Sequence, residues 1–480
     1  WDLTTSTAAA TEPFATRGVA DYTVVQAEEG KPNGTFLLAK PADNANYKAN
    51  VEMFAKSFDG NRNKAYATWQ YFGSPVKSAD RNQLPLETTW VRKYDRTLNV
   101  PNSDEKWTDI NNGTLAQGQA YEISQPKPAT YRFIGELNTA DFTFPVDGMA
   151  SATNYQDMNI LANPYTGAMS IDKLDFSGAT AADKVVYLFN TGSRKDWIAN
   201  SGPTTNGTTQ GQYTKAIPAN LAGHVAGMPN QIPSLSSFMV KSTAAGNLKY
   251  RYADLVTATE ENRAPQRHFH SLAVDVESAK TADRLWLVQA EGTTDRYDNG
   301  WDGEKIFAPG EAALYAMQDR SYQVTTTDAI GETKVGFVPG DGEQNYKLTF
   351  HLDGGDGTQQ YTLLDKRTGL TRAIHDGDTY EFTATKGDAA HRFTILGNGA
   401  KATADQRGFQ ISADLRRNFT VKNFTDQPAE ALVFDAAGKI QARFTVEPGS
   451  ENTGTVVMPG AYVVRVSNKV TTLTQRFVMP

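Results

Sequence analysis

The feature that most restricts the fold is a recurring short run in which apolar and polar residues alternate, followed by a glycine- or asparagine-rich turn. Examples are Thr35–Ala39, Leu285–Gln289 and Lys347–Leu352. A strand places successive side chains on opposite faces, so this alternation predicts half-buried β-strands. The intervening Asp-Gly and Asn-Gly pairs supply the positive φ that tight hairpins require. The sequence therefore predicts an all-β protein.

Helical spacing of apolar residues does not persist for three turns anywhere in the chain. Two stretches come nearest, Asn46–Ala55 and Asp254–Arg263, and we expect short cap or edge elements there. The predicted fold is a series of tandem antiparallel β-sandwiches. The first module is jelly-roll-like, the second is a smaller sandwich, and the C-terminal domain is immunoglobulin-like.

Changes in composition divide the chain into parts. Polar, turn-forming stretches at Thr257–Arg267 and Gly397–Gly408 are typical of linkers. The predicted parts are a linker or tail of a preceding module at 1–20, a large β-sandwich domain at 21–264, a second β-sandwich domain at 265–398, and an immunoglobulin-like domain at 399–480.

Charge and composition exclude several classes of protein. The 480 residues contain 47 Lys and Arg against 54 Asp and Glu, a net charge of −7. A mildly acidic chain argues against nucleic acid as a partner, because phosphate binding needs a concentrated basic surface. No apolar run approaches the roughly 18–20 residues that cross a bilayer, so we expect no membrane-embedded part. The chain has no cysteine, which excludes disulfides and thiolate zinc sites.

The sequence contains none of the common catalytic motifs, such as Gly-x-Ser-x-Gly, His-Glu-x-x-His or a phosphate-binding loop. His268 and His270 are two residues apart and would share a strand face, where they could bind a metal. No third ligand is apparent, so a polar strand face is favoured. The sequence therefore predicts a protein that is not an enzyme. Calcium, at the loop described next, is the one cofactor that it suggests.

One loop concentrates more carboxylates than its surroundings. Asp295, Asp298, Asn299 and Asp302 lie within eight residues of turn-forming sequence after an apolar strand. Calcium binds six to eight oxygen ligands on such loops. The spacing is not that of an EF-hand, because Tyr297 occupies the third position. Two interpretations stay open: a calcium site, and a structural loop whose side chains cap backbone amides, which is favoured.

Aromatic residues are concentrated in the first predicted domain. Trp69, Trp90, Trp107 and Trp197 could form a platform on which sugars stack. Sandwich cores use aromatic residues at the same density, so a core role is favoured.

The C-terminal part carries three motif blocks in order: an apolar strand running into Asp435-Ala-Ala-Gly438-Lys439, a Pro459-Gly460-Ala-Tyr462 strand, and a last strand containing Arg476. Over roughly 80 residues this resembles the C-terminal sorting domain of Bacteroidota type IX secretion cargo. The resemblance implies that Asp435, Gly438, Lys439, Gly460, Tyr462 and Arg476 belong to the sorting motif. Arg476 stands where Lys is usual in the family.

Upstream blocks resemble the repeating β-sandwich of large surface proteins from the same bacteria. They are Met158–Gly167 with its Asn-Pro-Tyr turn, Val186–Gly192, and Ile232–Val240. Arg284–Leu287 with the Asp295–Asp302 loop resembles the module that usually follows. Together these resemblances imply export by the type IX secretion machinery to the bacterial cell surface, in association with the outer membrane. They imply surface polysaccharide or neighbouring surface proteins as further partners.

Two functions follow as hypotheses. The leading one is the C-terminal part of a non-catalytic adhesin, fibre or surface-layer protein. The alternative is the glycan-binding accessory portion of a secreted hydrolase whose catalytic domain lies upstream.

Overall fold

The structure is a computed structural model. It describes residues 23–28, 33–63, 67–98, 100, 103–148, 157–190, 212–256, 268–308, 310–355, 358–397, 408–414, 417–425, 427–469 and 472–479. The predicted tail at 1–20 and the linker stretch Thr257–Arg267 lie outside these residues. The chain forms two compact units. Unit 1 contains Trp1–His268 with Asp298–Ile306, and unit 2 contains Phe269–Tyr297 with Phe307–Pro480.

The prediction of an all-β fold is confirmed. The first nineteen strands are β1 (Thr23–Val25), β2 (Lys48–Ala55), β3 (Gln70–Phe72), β4 (Ser78–Asp80), β5 (Trp90–Tyr94), β6 (Trp107–Asp109), β7 (Thr114–Ala116), β8 (Tyr121–Ser124), β9 (Ala129–Glu136), β10 (Phe142–Val146), β11 (Met158–Ala162), β12 (Ala168–Ser170), β13 (Asp175–Gly178), β14 (Val185–Asn190), β15 (Gln212–Pro218), β16 (Gln231–Ile232), β17 (Ser237–Lys241), β18 (Gly246–Tyr250) and β19 (Leu255–Val256).

The remaining strands are β20 (Ser271–Glu277), β21 (Ala282–Gln289), β22 (Gly303–Glu304), β23 (Ala313–Met317), β24 (Ser321–Thr327), β25 (Glu332–Val338), β26 (Asn345–Asp353), β27 (Tyr361–Asp365), β28 (Leu370–Ile374), β29 (Thr379–Thr383), β30 (His391–Gly397), β31 (Phe409–Ala413), β32 (Asn418–Asn423), β33 (Ala429–Asp435), β34 (Ile440–Val446), β35 (Glu451–Thr455), β36 (Gly460–Ser467) and β37 (Thr472–Met479).

Helical structure in the described residues is limited to single 3₁₀ turns, at Ala42–Asn44, Arg81–Gln83, Ser103–Lys106, Ile171–Lys173 and Tyr252–Asp254. None of these is long or apolar enough for a membrane crossing. The expectation of a short cap or edge element near Asn46–Ala55 is wrong. Strand β2 occupies that stretch, pairs along its whole length with β9, and also pairs with β1, so it lies inside its sheet. Ala49, Val51 and Met53 recur at every second position and are all buried, which is strand periodicity.

Unit 1 contains several small sheets, with strand orders β1-β2-β9, β3-β8-β5-β6, β4-β7, β10-β18-β13, β11-β17-β14-β15 and β16-β12-β19. Two apolar clusters fill the space between them. One contains Val51, Phe72 and Phe133. The other contains Tyr94 and Trp107 among its members, with Ile306 from the Asp298–Ile306 segment packed against it. Neighbouring strands are antiparallel except for β1, which runs parallel to β2.

In unit 2, one long sheet has the order β28-β27-β30-β25-β23-β24-β21-β20-β26-β29 and surrounds a single large core. The pairing is antiparallel except between β21 and β24. Residues 409–479 form a separate sandwich of seven strands, with β31-β32-β35 facing β34-β33-β36-β37 around their own core. We call this seven-stranded part the terminal sandwich. It has the immunoglobulin-like architecture that the sequence predicts.

Candidate functional site

The carboxylate-rich loop is fastened to unit 1 by an amide side chain. Asn299 Oδ1 accepts the backbone N–H of Lys184 at 2.6 Å, and Asn299 Nδ2 donates to the carbonyl of Ala182 at 3.2 Å. The backbone N–H of Asn220 donates to the carbonyl of Gly300 at 3.0 Å. Gly300 has φ +90°, so an added Cβ would be strained there. The loop therefore holds its shape through backbone contacts.

A buried carboxylate closes the same turn. Asp302 Oδ2 accepts the backbone N–H of Asp298 at 2.7 Å, and Asp302 is fully buried. The backbone N–H groups of Trp301 and Asp302 both donate to the carbonyl of Asp298. Two residues later, Glu304 forms an ion pair with Lys241 at 2.7 Å, largely shielded from solvent.

The four residues predicted as calcium ligands are therefore placed as follows. Asn299 and Asp302 accept backbone N–H groups, while Asp295 is exposed and Asp298 half-buried. Among the described residues, no three His, Asp or Glu side chains are grouped so that they could hold a metal ion. These bonds are the ones that the capping interpretation predicts. Calcium binding stays a prediction.

The first block of the C-terminal motif builds the hairpin turn between β33 and β34. Asp435 Oδ1 accepts the backbone N–H groups of Ala437 at 2.9 Å and Lys439 at 3.0 Å. These bonds, led by the one from Lys439, hold the pKa of the Asp435 carboxyl below its usual value. Gly438 takes φ +79°, which suits glycine in this turn. The Asp-x-x-Gly-Lys pattern thus specifies a turn and leaves the Lys439 side chain exposed.

The second block fixes how strand β36 begins. The Tyr462 hydroxyl donates to the carbonyl of Met458 at 2.6 Å, and its buried ring packs on Phe419 in the core. A tyrosine whose hydroxyl returns to the backbone a few residues upstream is typical of immunoglobulin-like sandwiches. Gly460 has φ +151°, a value that favours glycine. Arg476, on β37, is exposed. The role of these residues in sorting stays a prediction.

The upstream motif blocks meet in one sheet. They contain strands β11, β14 and β17, which are neighbours in the order β11-β17-β14-β15. Asn163 of the Asn-Pro-Tyr turn is fully buried, and its Nδ2 donates to the carbonyls of Gly167 and Ile232 at 2.9 and 3.0 Å. Its Oδ1 accepts the backbone N–H of Tyr165 at 2.9 Å. Asn163 therefore joins the Asn-Pro-Tyr turn to the segment that leads into β17.

Three of the four tryptophans predicted as a possible sugar platform lie in the described part of the chain, and a role in sugar binding stays a prediction. Trp107 is buried in the core, whereas Trp69 is half-buried under the Arg92 guanidinium at 4.1 Å from its ring centroid. Trp90 packs 6.5 Å from Trp69, and Trp197 lies outside the described residues.

Within the described ranges, neither His268 nor His270 belongs to a group of three side chains that could hold a metal ion. His270 Nε2 lies 2.6 Å from the Tyr361 hydroxyl, and its Nδ1 lies 3.0 Å from the Asp353 carbonyl. Both ring nitrogens of His270 are therefore engaged by protein atoms. His268 is exposed.

Sequence reasoning missed a group of arginines on the terminal sandwich. Arg443, Arg465 and Arg476 lie on three different strands, and only strand pairing places them on one face. The signal available in the sequence was the alternation within each strand, which gives the face of a residue but not its neighbours.

The chain is 30% identical to the Minor fimbrium subunit Mfa5 of Porphyromonas gingivalis, strain ATCC 33277, in an alignment that covers 95% of this chain. The chain spans 38% of the length of that relative.

Two solved structures show weak likeness. The Faecalibacterium prausnitzii β-glucuronidase is 13% identical, with 45% of this chain and 47% of that chain covered and a TM-score of 0.15. The BSP domain of a biofilm associated protein is 8% identical, with 97% and 99% covered and a TM-score of 0.13. Neither TM-score supports an argument about fold or function.

A family model described as Domain of unknown function (DUF8693) matches residues 42–396, about three quarters of the chain. The chain belongs to this family.

Proposed function

We propose that the chain is part of a non-catalytic cell-surface protein of the fibre or adhesin type. The observation that carries the proposal is the 30% identity to a minor fimbrium subunit across 95% of this chain. The motif residues support it, because Asn163, Asn299 and Tyr462 all bond to backbone groups that shape the fold. Partners of this protein are neighbouring surface proteins or surface polysaccharide.

The finer part of the proposal is the export route. The terminal sandwich serves as a sorting domain that the type IX secretion machinery reads, and the protein is delivered to the outer-membrane surface of a Bacteroidota cell. The motif blocks Asp435–Lys439 and Gly460–Tyr462 support this export route, because they occur in the same order as in the sorting domains that the chain resembles. The terminal sandwich also has its own core, separate from the core of the long sheet in unit 2.

The test is removal of residues 399–480 in a bacterium that has this machinery. Because the two cores are separate, we expect the truncated protein to keep its upstream fold. Because it lacks the sorting domain, we expect it to be retained inside the cell envelope. Surface labelling and cell fractionation measure the outcome. A matched control carries Ala437→Ser, a small change at an exposed turn position, and should reach the surface. Normal display of the truncated protein would contradict the export route and leave the surface-protein proposal to rest on the relative alone.

The alternative, a glycan-binding accessory portion of a secreted hydrolase, is not favoured. The relative that matches almost the whole chain is a fimbrium subunit. We therefore expect no turnover of peptide, ester or glycoside substrates by this chain.

A further inference from the structure

The outer face of one sheet in the terminal sandwich has an unusual composition. We call this surface the outer face; it lies on the β34-β33-β36-β37 sheet opposite the core. Register places Arg443, Leu432 and Arg465 in one row across three strands. A face that meets only water is normally polar in an antiparallel sheet. Here apolar and arginine side chains share it instead.

The next row repeats the pattern. Ile440, Phe434, Val463 and Arg476 lie side by side on β34, β33, β36 and β37. Beyond them, Val478 is 84% exposed. Arginine and aromatic residues such as Phe are enriched in protein interfaces, and a contiguous apolar patch marks an interaction surface where isolated apolar residues do not. Two adjacent rows of this composition point to an interface.

Charge determines what can cover this face. Arg443 pairs with Glu430, but Arg465 and Arg476 have no carboxylate within 4 Å in the described part of the chain. Residues 399–480 contain ten Lys and Arg and seven Asp and Glu, a net charge of +3, so the remaining 398 residues carry −10. The basic face and the acidic remainder of the same chain are complementary in charge.

A symmetric pairing of two outer faces is disfavoured by the same residues. It would bring the arginines of one copy against those of the other, and like charges across an interface are unfavourable. Contact between different surfaces of two copies avoids this, and such contacts do not close into a pair.

We propose that the outer face docks, head to tail, on the acidic upstream part of a second copy of this chain. The outer face is four strands wide, at about 4.8 Å per strand, and about seven residues long, at about 3.3 Å per residue. It therefore measures about 19 by 23 Å. That is smaller than the roughly 800 Å² per partner of a standard interface, so the association is weak and sensitive to salt. The inference goes beyond the proposed function and does not depend on the export route.

The test is the molar mass of the purified 480-residue chain in solution, measured by light scattering and sedimentation over increasing concentration. In low salt we expect the average mass to rise continuously with concentration and to return to the monomer value in high salt. The double variant Arg465→Glu, Arg476→Glu should stay monomeric under all conditions.

The matched control is Gln410→Glu, Ser412→Glu, Lys422→Glu, which makes the same change in net charge at exposed positions of the other sheet, β31-β32-β35. It should associate like the unaltered chain. Three results would overturn the proposal: an unaltered chain that stays monomeric, a mass that stops at twice the monomer value, or equal loss of association in the control. Circular dichroism and melting curves establish that all variants are folded.

Discussion

His391 lies half-buried at the start of β30, close to two lysines. Lys366 Nζ is 3.4 Å from His391 Nδ1, and His391 Nε2 is 3.3 Å from the Thr394 hydroxyl. Burial, followed by the charges of Lys366 and Lys334, lowers the pKa of His391 from 6.5 to about 4. Glu332, which faces Lys366, acts on that lysine in the opposite direction. The folded protein therefore keeps this imidazole neutral where the unfolded chain protonates it.

This residue predicts a pH dependence of stability. Between pH 6.5 and pH 4 the unfolded chain binds the proton more readily, so the contribution of His391 is complete above pH 6.5 and is lost as the pH falls toward 4. At most about 3 kcal/mol of unfolding free energy is involved. We expect His391→Gln to flatten the curve of stability against pH over this range. Denaturant unfolding at pH 7 and pH 4.5 measures it.

The exposed Gln410, on β31, provides a control that does not titrate. Gln410→Asn should leave the slope between these pH values close to that of the unaltered chain. An unchanged slope in His391→Gln would show that other groups carry the acid sensitivity.

At the scale of elements, the Asp295–Glu304 loop could be held in shape by side-chain hydrogen bonds to the backbone or by a bound calcium ion, and the two causes can be tested separately. Under the capping interpretation, Asn299→Ala removes two hydrogen bonds to backbone groups and should cost about 2 kcal/mol, equally with calcium and with chelator. If calcium binds, the unaltered chain should melt lower in chelator, because a bound ion at a hundredfold excess over Kd stabilises by about 2.7 kcal/mol. Melting curves with calcium chloride and with EDTA distinguish the two.

Asp298→Ala is the companion variant. Under the calcium interpretation it abolishes the difference between the two solutions. A melting temperature that does not change on chelation would decide for capping.

The elements also show what sequence reasoning can reach. In β2, the apolar residues Ala49, Val51 and Met53 recur at every second position, which is the period of a strand. The expectation of a cap or edge element did not take this period into account. The Asp435–Lys439 turn is within the reach of sequence reasoning because its bonds are local, within four residues. The bonds from Asn163 to the Ile232 carbonyl and from Asn299 to the Ala182 carbonyl join residues 69 and 117 positions apart. No local pattern encodes such a partner, so these could be found only from the fold.

At the scale of the whole molecule, unit 1 is not continuous in sequence. A segment that follows residue 268 in the sequence belongs to unit 1. In this segment, Asn299 and Glu304 form hydrogen bonds within unit 1, and Ile306 packs against one of its apolar clusters. The linker-like composition near Thr257–Arg267 gave no sign that a later segment returns to unit 1. The predicted boundary at 264 stays a prediction, and it leaves this segment outside the first domain.

We therefore expect a fragment of residues 21–264 to melt several degrees lower once isolated than unit 1 does within the full chain, because a partly buried ion pair and apolar contacts are missing. Adding a synthetic peptide of residues 296–308 should raise the melting temperature of the fragment. A peptide of scrambled sequence is the control. If the two peptides act alike, the segment contributes nothing specific to unit 1.

The discontinuity also bears on the order in which the protein acquires its structure during synthesis. N-terminal domains generally fold first as the chain emerges from the ribosome. Here Lys241 gains Glu304 as its partner only 36 residues after His268, and the cluster around Trp107 gains Ile306 only 38 residues after it. The nascent first unit thus stays incomplete until a segment that follows the first 29 residues of unit 2 has been translated.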